Sequence, residues 1–223
     1  MATTDFHVEK LFDVSHMVAV VTGGGTGIGL MATQALVANG ARVYVLSRRE
    51  ETLQKSADVH GGGEVRGEII PVKCDVTKKE SIMEAVNQIS KKEKYINILV
   101  NNAGIGGPKA APTEETAQKM RDKLFESESF EEWSDVFRTN VAAVYFTTVA
   151  FLPLLEAGTK AAQAADDDHY ACVINITSMS GSTKVSQGHF AYNAAKSATS
   201  SLTKLMATEF RHLKIRVNAI APG

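Results

Sequence analysis

Cysteine is scarce in this chain: Cys74 and Cys172 are the only two among 223 residues. Each sits in an apolar, strand-like run without ligand-type neighbours, so neither a disulfide framework nor a metal centre organises the molecule, and two buried free thiols are expected. Charge of either sign is also lacking in excess, with 24 Lys and Arg against 25 Asp and Glu for a net charge of −1. That balance carries no electrostatic footprint for nucleic acid or an anionic membrane, and the expected partner is a small molecule. Long apolar runs are missing as well. The stretch Met1 to Val14 is interrupted by Asp5, Glu9 and Asp13, unlike a secretory signal, and no later stretch reads as the ~18 apolar residues of a membrane span. A soluble, cytoplasmic protein is the expectation.

What is present is enough apolar residue, 44% of the chain, to bury one substantial core. The length suits a single domain over residues 1–223. The run Met17 to Val21 is short, apolar and rich in β-branched residues, as expected for a strand buried on both faces of a parallel sheet. It enters a glycine-rich turn, Thr22 to Gly29, followed by a helix from Leu30 to Asn39 closed by Gly40, and by a second strand, Arg42 to Ser47. The glycines follow the pattern Gly23-x-x-x-Gly27-x-Gly29 rather than the commoner Gly-x-Gly-x-x-Gly. A turn of this kind between strand and helix lets a phosphate approach the backbone and the orphan N–H groups of the helix start, which places Gly23, Gly27, Ile28 and Gly29 at a dinucleotide.

An acidic residue about 20 positions on would hold the ribose 2′-hydroxyl of NAD. Ser47-Arg48-Arg49 stands there instead, and two guanidinium groups suit a 2′-phosphate, favouring NADP(H) over NAD(H). The plain alternative is a pair of solvated arginines opening a helix.

The alternation continues. A helix is expected over Glu50 to Asp58, a mobile turn at Gly61-Gly62-Gly63, and a third strand over Glu68 to Cys74, which Pro71 assigns to a sheet edge. Asp75 then either reaches an adenine amino group or caps the helix Lys78 to Lys92. Strand four, Ile96 to Val100, ends in Asn101-Asn102-Ala103-Gly104. Residues 105–129 are polar and carry Pro108 and Pro112, reading as an inserted loop with a short helix. Ser129-Phe130-Glu131-Glu132 has capping-box spacing and opens a helix to about Glu156, with Asn140 near its middle. A loop from Gly158 to His169, strand five from Tyr170 to Ile176, the polar end Thr177-Ser178-Met179-Ser180, a helix to about Arg211 and strand six from Lys214 to Ile220 complete the order. Six strands separated by helices imply an α/β fold with a doubly wound parallel sheet, whose ligands sit beyond the carboxyl ends of the strands.

In the last of these helices Tyr192 and Lys196 are four apart and share a face. A phenol is a weak acid with an ordinary pKa of about 10, and a fixed positive charge beside it favours the phenolate. The pair is either a packed Tyr beside a solvated Lys or a proton-transfer centre.

Taken together, Thr22-Gly23-x-x-x-Gly27-x-Gly29, Asn101-Asn102-Ala103-Gly104, Asn140, Ser178, Tyr192-x-x-x-Lys196 and Pro222-Gly223 resemble the short-chain dehydrogenase/reductase family over roughly Met17 to the end. The resemblance implies a Rossmann-type sheet and an NAD(H) or NADP(H) cofactor. It also implies a catalytic set of Asn140, Ser178, Tyr192 and Lys196, in which Tyr192 transfers the proton, Lys196 supports the tyrosinate and holds the nicotinamide ribose, and Ser178 binds the substrate oxygen. Asn140 is expected to anchor a water next to Lys196. Asn102, Ala103 and Gly104 support the sheet beside the cofactor, and Ser180 is a rival for the role of Ser178. The implied activity is reduction of a small ketone or 3-oxoacyl group, or the reverse, in a homo-oligomer whose helices approach at Ala194, Ala198 and Ser201. Family members continue past the Pro-Gly pair into a cofactor-clasping loop, a substrate lid and a seventh strand. Their expected absence here keeps a catalytically silent dinucleotide-binding or interaction protein as the alternative.

Overall fold

The computed structural model describes residues 7–62, 65–165 and 169–223. Gly63 of the expected glycine turn and residues 166–168 of the expected loop lie outside them. A four-residue helix α1 (Val8–Leu11) precedes β1 (Val18–Thr22), α2 (Gly27–Ala38), β2 (Arg42–Ser47), α3 (Glu50–His60), β3 (Glu68–Lys73), α4 (Lys79–Ser90) and β4 (Ile98–Asn101). The second half holds α5 (Ala117–Ser127), α6 (Phe130–Phe137), a π-helical turn (Arg138–Ala142), α7 (Ala143–Ala164), β5 (Cys172–Ile176), α8 (Phe190–Glu209) and β6 (Arg216–Ile220).

The six strands form one parallel sheet in the order β3-β2-β1-β4-β5-β6. The order reverses between β1 and β4, and in open α/β sheets such a switch point opens a crevice beyond the strand ends. Pro71 lies in edge strand β3, where a missing N–H costs no ladder bond on the open side. Strand β1 shows why its sequence is continuously apolar. Val18 and Val20 enter the core on one face with Ile82 of α4, Phe151 of α7 and Met206 of α8, while Ala19 and Val21 enter the opposite core with Val37 of α2 and Leu53 of α3. Two covered faces favour an apolar run, and the polar residue at its end, Thr22, is bonded to the backbone that follows β4.

Three expectations need correction. Helix α7 does not end near Glu156 but runs to Ala164. Gly158 was read as the start of a loop, yet it is buried mid-helix because a Cβ there would stand 2.3 Å from the Ile96 carbonyl oxygen, so only glycine permits this approach of helix to sheet. The helix after the glycine turn begins at Gly27 rather than Leu30. Finally, the stretch Phe130–Ala164 includes an 18-residue window of mean hydropathy 1.6, long and apolar enough to cross a membrane by length and composition alone, with 44% of it buried inside the fold. Its apolar character follows from packing against both the sheet and α4.

A capping box opens α6, where the Ser129 hydroxyl accepts from Glu132 N and the Glu132 carboxylate accepts from Ser129 N. The following π turn inserts one extra residue per turn, a break that recurs at functional sites. It rotates Asn140 inward, to 1% exposure. Residues 105–116 have no regular structure, and α5 behind them buries none of its side chains.

Candidate active site

The glycine turn is fixed from beneath by β4. Thr22 Oγ1 accepts from the backbone N–H groups of Asn102 and Ala103 at 3.0 and 3.1 Å, and Asn102 Nδ2 donates to the carbonyls of Thr22 and Gly23. Contact is so close that a Cβ on Gly29 would stand 2.4 Å from both Asn102 Nδ2 and Gly23 O, and one on Gly24 would stand 2.2 Å from Val45. Gly23 and Gly27 have φ of 65° and 54°, in the left-handed region that glycine tolerates best. Thr26, at the N-cap of α2, makes no capping bond with its side chain, so the first N–H groups of the helix lack that partner. A glycine cradle over an uncapped helix start fits a pyrophosphate.

From this turn a cleft of about 230 Å³ runs outward, lined by Gly23, Ser47, Arg48, Asp75, Ala103 and Gly104. Arg49, the second of the expected arginine pair, lines it too, as do Thr52 and Thr77, which no local pattern had marked. Asp75 accepts from the Thr77 hydroxyl at 2.7 Å and from Thr77 N at 3.1 Å. It therefore builds a local turn and does not cap α4, whose N-cap is Lys78. Burial pushes its carboxyl up, but the Thr77 bonds with Arg48 and Lys78 outweigh that and hold it below the usual carboxylate value.

A second cleft, of about 510 Å³, lies on the other side of the β4 terminus and shares Asn102, Gly104 and Ile105 with the first. Ile28, Ser178, Ser180, Tyr192 and Lys196 line it. Gly27 and Gly29 border neither cleft; their contribution is backbone shape. Ser178 follows β5 and starts a one-turn 3₁₀ helix, its Oγ accepting from Ser180 N at 3.1 Å. Tyr192 and Lys196 project from the first two turns of α8. The Lys196 ammonium lies 5.6 Å from the Tyr192 ring centroid and donates to the Ile176 carbonyl at 2.6 Å. Burial of this side chain lowers its pKa to about 8.

Asn140 is engaged on both its side chain and its backbone. Its Nδ2 donates to Ile105 O at 2.8 Å and its Oδ1 accepts from Ile105 N at 2.9 Å, so the amide clamps the chain leaving β4 and has both ends engaged by backbone. Its own carbonyl accepts from Thr199 Oγ1 at 2.7 Å. Beneath the site, Asn101 Nδ2 donates to Thr148 and to Asn175, both at 2.9 Å, and Asn175 Nδ2 donates to Thr203 at 2.9 Å. This buried amide chain ties β4, β5, α7 and α8 together, and each donor in it has a partner. Among the described residues no group of three or more His, Cys, Asp or Glu side chains is placed to hold a metal.

A profile of the short chain dehydrogenases matches residues 17–223. The chain belongs to the short-chain dehydrogenase/reductase family. Similar proteins include the short-chain dehydrogenase/reductase VdtF of Byssochlamys spectabilis, 42% identical over 96% of this chain and 75% of its own. A rhamnolipids biosynthesis 3-oxoacyl-[acyl-carrier-protein] reductase of Pseudomonas aeruginosa is 30% identical over 95% and 74%. Among solved structures, the Pseudomonas aeruginosa RhlG/NADP active-site complex superposes with a TM-score of 0.78 at 30% identity, covering 95% of this chain and 74% of that one. NAD⁺-bound xylitol dehydrogenase does so with a TM-score of 0.78 at 26% identity, covering 95% and 71%. In this member of a family of nucleotide-dependent oxidoreductases, the two clefts adjoin at Asn102, Gly104 and Ile105.

Proposed function

We propose that the protein is an NADP(H)-dependent carbonyl reductase, interconverting a small ketone or 3-oxoacyl group and the secondary alcohol. The observation that carries this reading is the convergence of Ser178, Tyr192 and Lys196 on one cleft that meets the glycine cradle at Asn102 and Gly104. Gly23, Ala103 and the α2 start would hold the pyrophosphate, Asp75 the adenine, and Ser47 with Arg48 the ribose 2′-phosphate. When bound, the dinucleotide supplies or accepts a hydride at its nicotinamide ring.

The chain's own groups manage charge and protons. Ser178 donates to the substrate oxygen and fixes its place, while Tyr192 passes its phenolic proton to that oxygen as negative charge builds on it. Lys196, facing the phenol ring, favours the charge left there. The Asn140 clamp on Ile105 acts as a positioning element between the clefts. We further infer a cytoplasmic homo-oligomer paired through α7 and α8, supported by exposed Tyr145 and Val149 one turn apart on α7 and by exposed Leu205 on α8.

NADPH consumption measured against ketones, 3-oxoacyl esters and quinones tests the activity. Turnover of a ketone or 3-oxo ester supports it, and dinucleotide binding without turnover of any of them would favour the catalytically silent alternative.

A further inference from the structure

His189 borders the same cleft as Ser178 and Tyr192, three residues ahead of the tyrosine. Its ring meets the Tyr192 ring edge-on, with centroids 6.4 Å apart and planes at 66°. It occupies the N-cap of α8, where Ser, Thr, Asp or Asn would stabilise the helix, and makes no capping bond with its side chain. A residue that forgoes a cap at the mouth of a cleft points to a role outside helix stability.

The loop in front of it is held firmly. Asn193 Nδ2 donates to Ser186 O at 3.1 Å, His189 N donates to Ser186 O at 2.9 Å, and Gly188 N donates to Ser186 Oγ at 3.2 Å. Ala110 N reaches across from the 105–116 segment to Gly188 O at 2.8 Å. Gln187 is held at φ 54°, a strained conformation for a residue with a side chain. These bonds fix the backbone that carries the imidazole.

Within this frame the His189 Nδ1 is sealed from solvent and has no hydrogen-bond partner. A proton there would be an orphaned buried donor, which folded proteins rarely tolerate. The tautomer with its proton on Nε2 avoids that orphaned donor and leaves Nε2 as the ring's donor, on a residue that lines the cleft.

We propose that His189 is a specificity-determining residue that donates from Nε2 to the second carbonyl oxygen of a 1,3-dicarbonyl substrate, such as a 3-oxo ester, whose ketone lies against Ser178 and Tyr192. This rests on the reductase reading above. The apolar lining at Ile28, Ile105 and Ile176 accommodates the carbon chain, and a lone ketone leaves the imidazole donor without a partner.

The test compares ethyl 3-oxobutanoate with its chain-length counterpart 2-heptanone, using NADPH and the whole chain. His189→Phe keeps the ring packing and removes the donor, and His189→Gln restores a donor. The ratio of kcat/KM for ester over ketone is expected to fall about tenfold in H189F, chiefly through KM for the ester, and to recover in part in H189Q. Cooperative thermal unfolding checks each variant, with H189L replacing H189F if the latter does not fold. An unchanged ratio in the donor-free variant overturns the assignment. Wild-type protein that turns over neither compound overturns the reductase reading itself, and the assignment with it, a result distinct from an active enzyme whose ratio is unmoved.

Discussion

Lys196 Nζ donates to the carbonyl oxygen of Ile176 at 2.6 Å, joining the second turn of α8 to the last residue of β5. The side chain is 5% exposed. Its ammonium is thus held at the end of the sheet beside the phenol of Tyr192, and its charge is maintained against burial.

That burial has a measurable pH signature. The Lys196 pKa falls from an ordinary 10.5 to about 8 in the folded state. Between those values the unfolded chain binds a proton that the native state does not, so the contribution of this group to stability rises with pH across that window. Below about pH 8 the full cost of burying the charge is present. Urea unfolding of wild type and Lys196→Met from pH 7 to pH 10 is expected to show the difference moving in favour of wild type as pH rises, by at most roughly 1.4 kcal/mol per pH unit. A flat difference would refute the depressed pKa.

Arg48 and Ser47 are the residues proposed to distinguish the two dinucleotides. Arg48→Ala is expected to weaken NADPH at least about tenfold more than NADH in a fluorescence titration, because only NADPH offers a phosphate to the guanidinium. Equal losses would reject the 2′-phosphate role.

Two glycines of one turn should respond differently. Gly29→Ala forces a methyl to within 2.4 Å of Gly23 O and Asn102 Nδ2, and is expected to cost about 3 kcal/mol or more and to abolish dinucleotide binding. Gly27→Ala meets nothing within 4 Å and incurs only the strain of φ 54°, about 1–2 kcal/mol. Chemical denaturation of both variants decides, and similar costs would contradict the described packing.

The buried amide chain gives a fourth expectation. Asn101→Ala leaves the Asn175 carbonyl oxygen without its donor, and a loss of about 2–4 kcal/mol is expected. In a double-mutant cycle with Asn175→Ala the two losses should fall short of additive by at least about 0.5 kcal/mol. Strict additivity would show that the two amides act independently.

The strands were legible because a sheet covered on both faces leaves an unmistakable apolar run; β2 falls on Arg42–Ser47 as its sequence indicates. Gly158 misled because a helix-closing glycine and a glycine under close approach look alike until Ile96 is placed against it. Asn101, Asn175 and Thr203 were unreadable as a network, since their partners lie 28 to 74 residues away. Of the candidate site, the glycine turn and the Tyr192–Lys196 pair could be named from local spacing, whereas Ser178 came only from the family resemblance. The bonds of Asn140 to Ile105 depend on a π turn that no spacing reveals, and the place of His189 depends on a loop bonded to a distant segment.

Everything proposed for the second cleft turns on Tyr192 transferring the proton in an NADPH-linked reduction. Turnover of ethyl 3-oxobutanoate by wild type and Tyr192→Phe, with NADPH affinity measured in parallel, tests it most directly. A loss of about 10²–10⁴-fold in kcat is expected, with NADPH affinity kept within roughly threefold. Tyr192→Phe turning over as fast as wild type would contradict it.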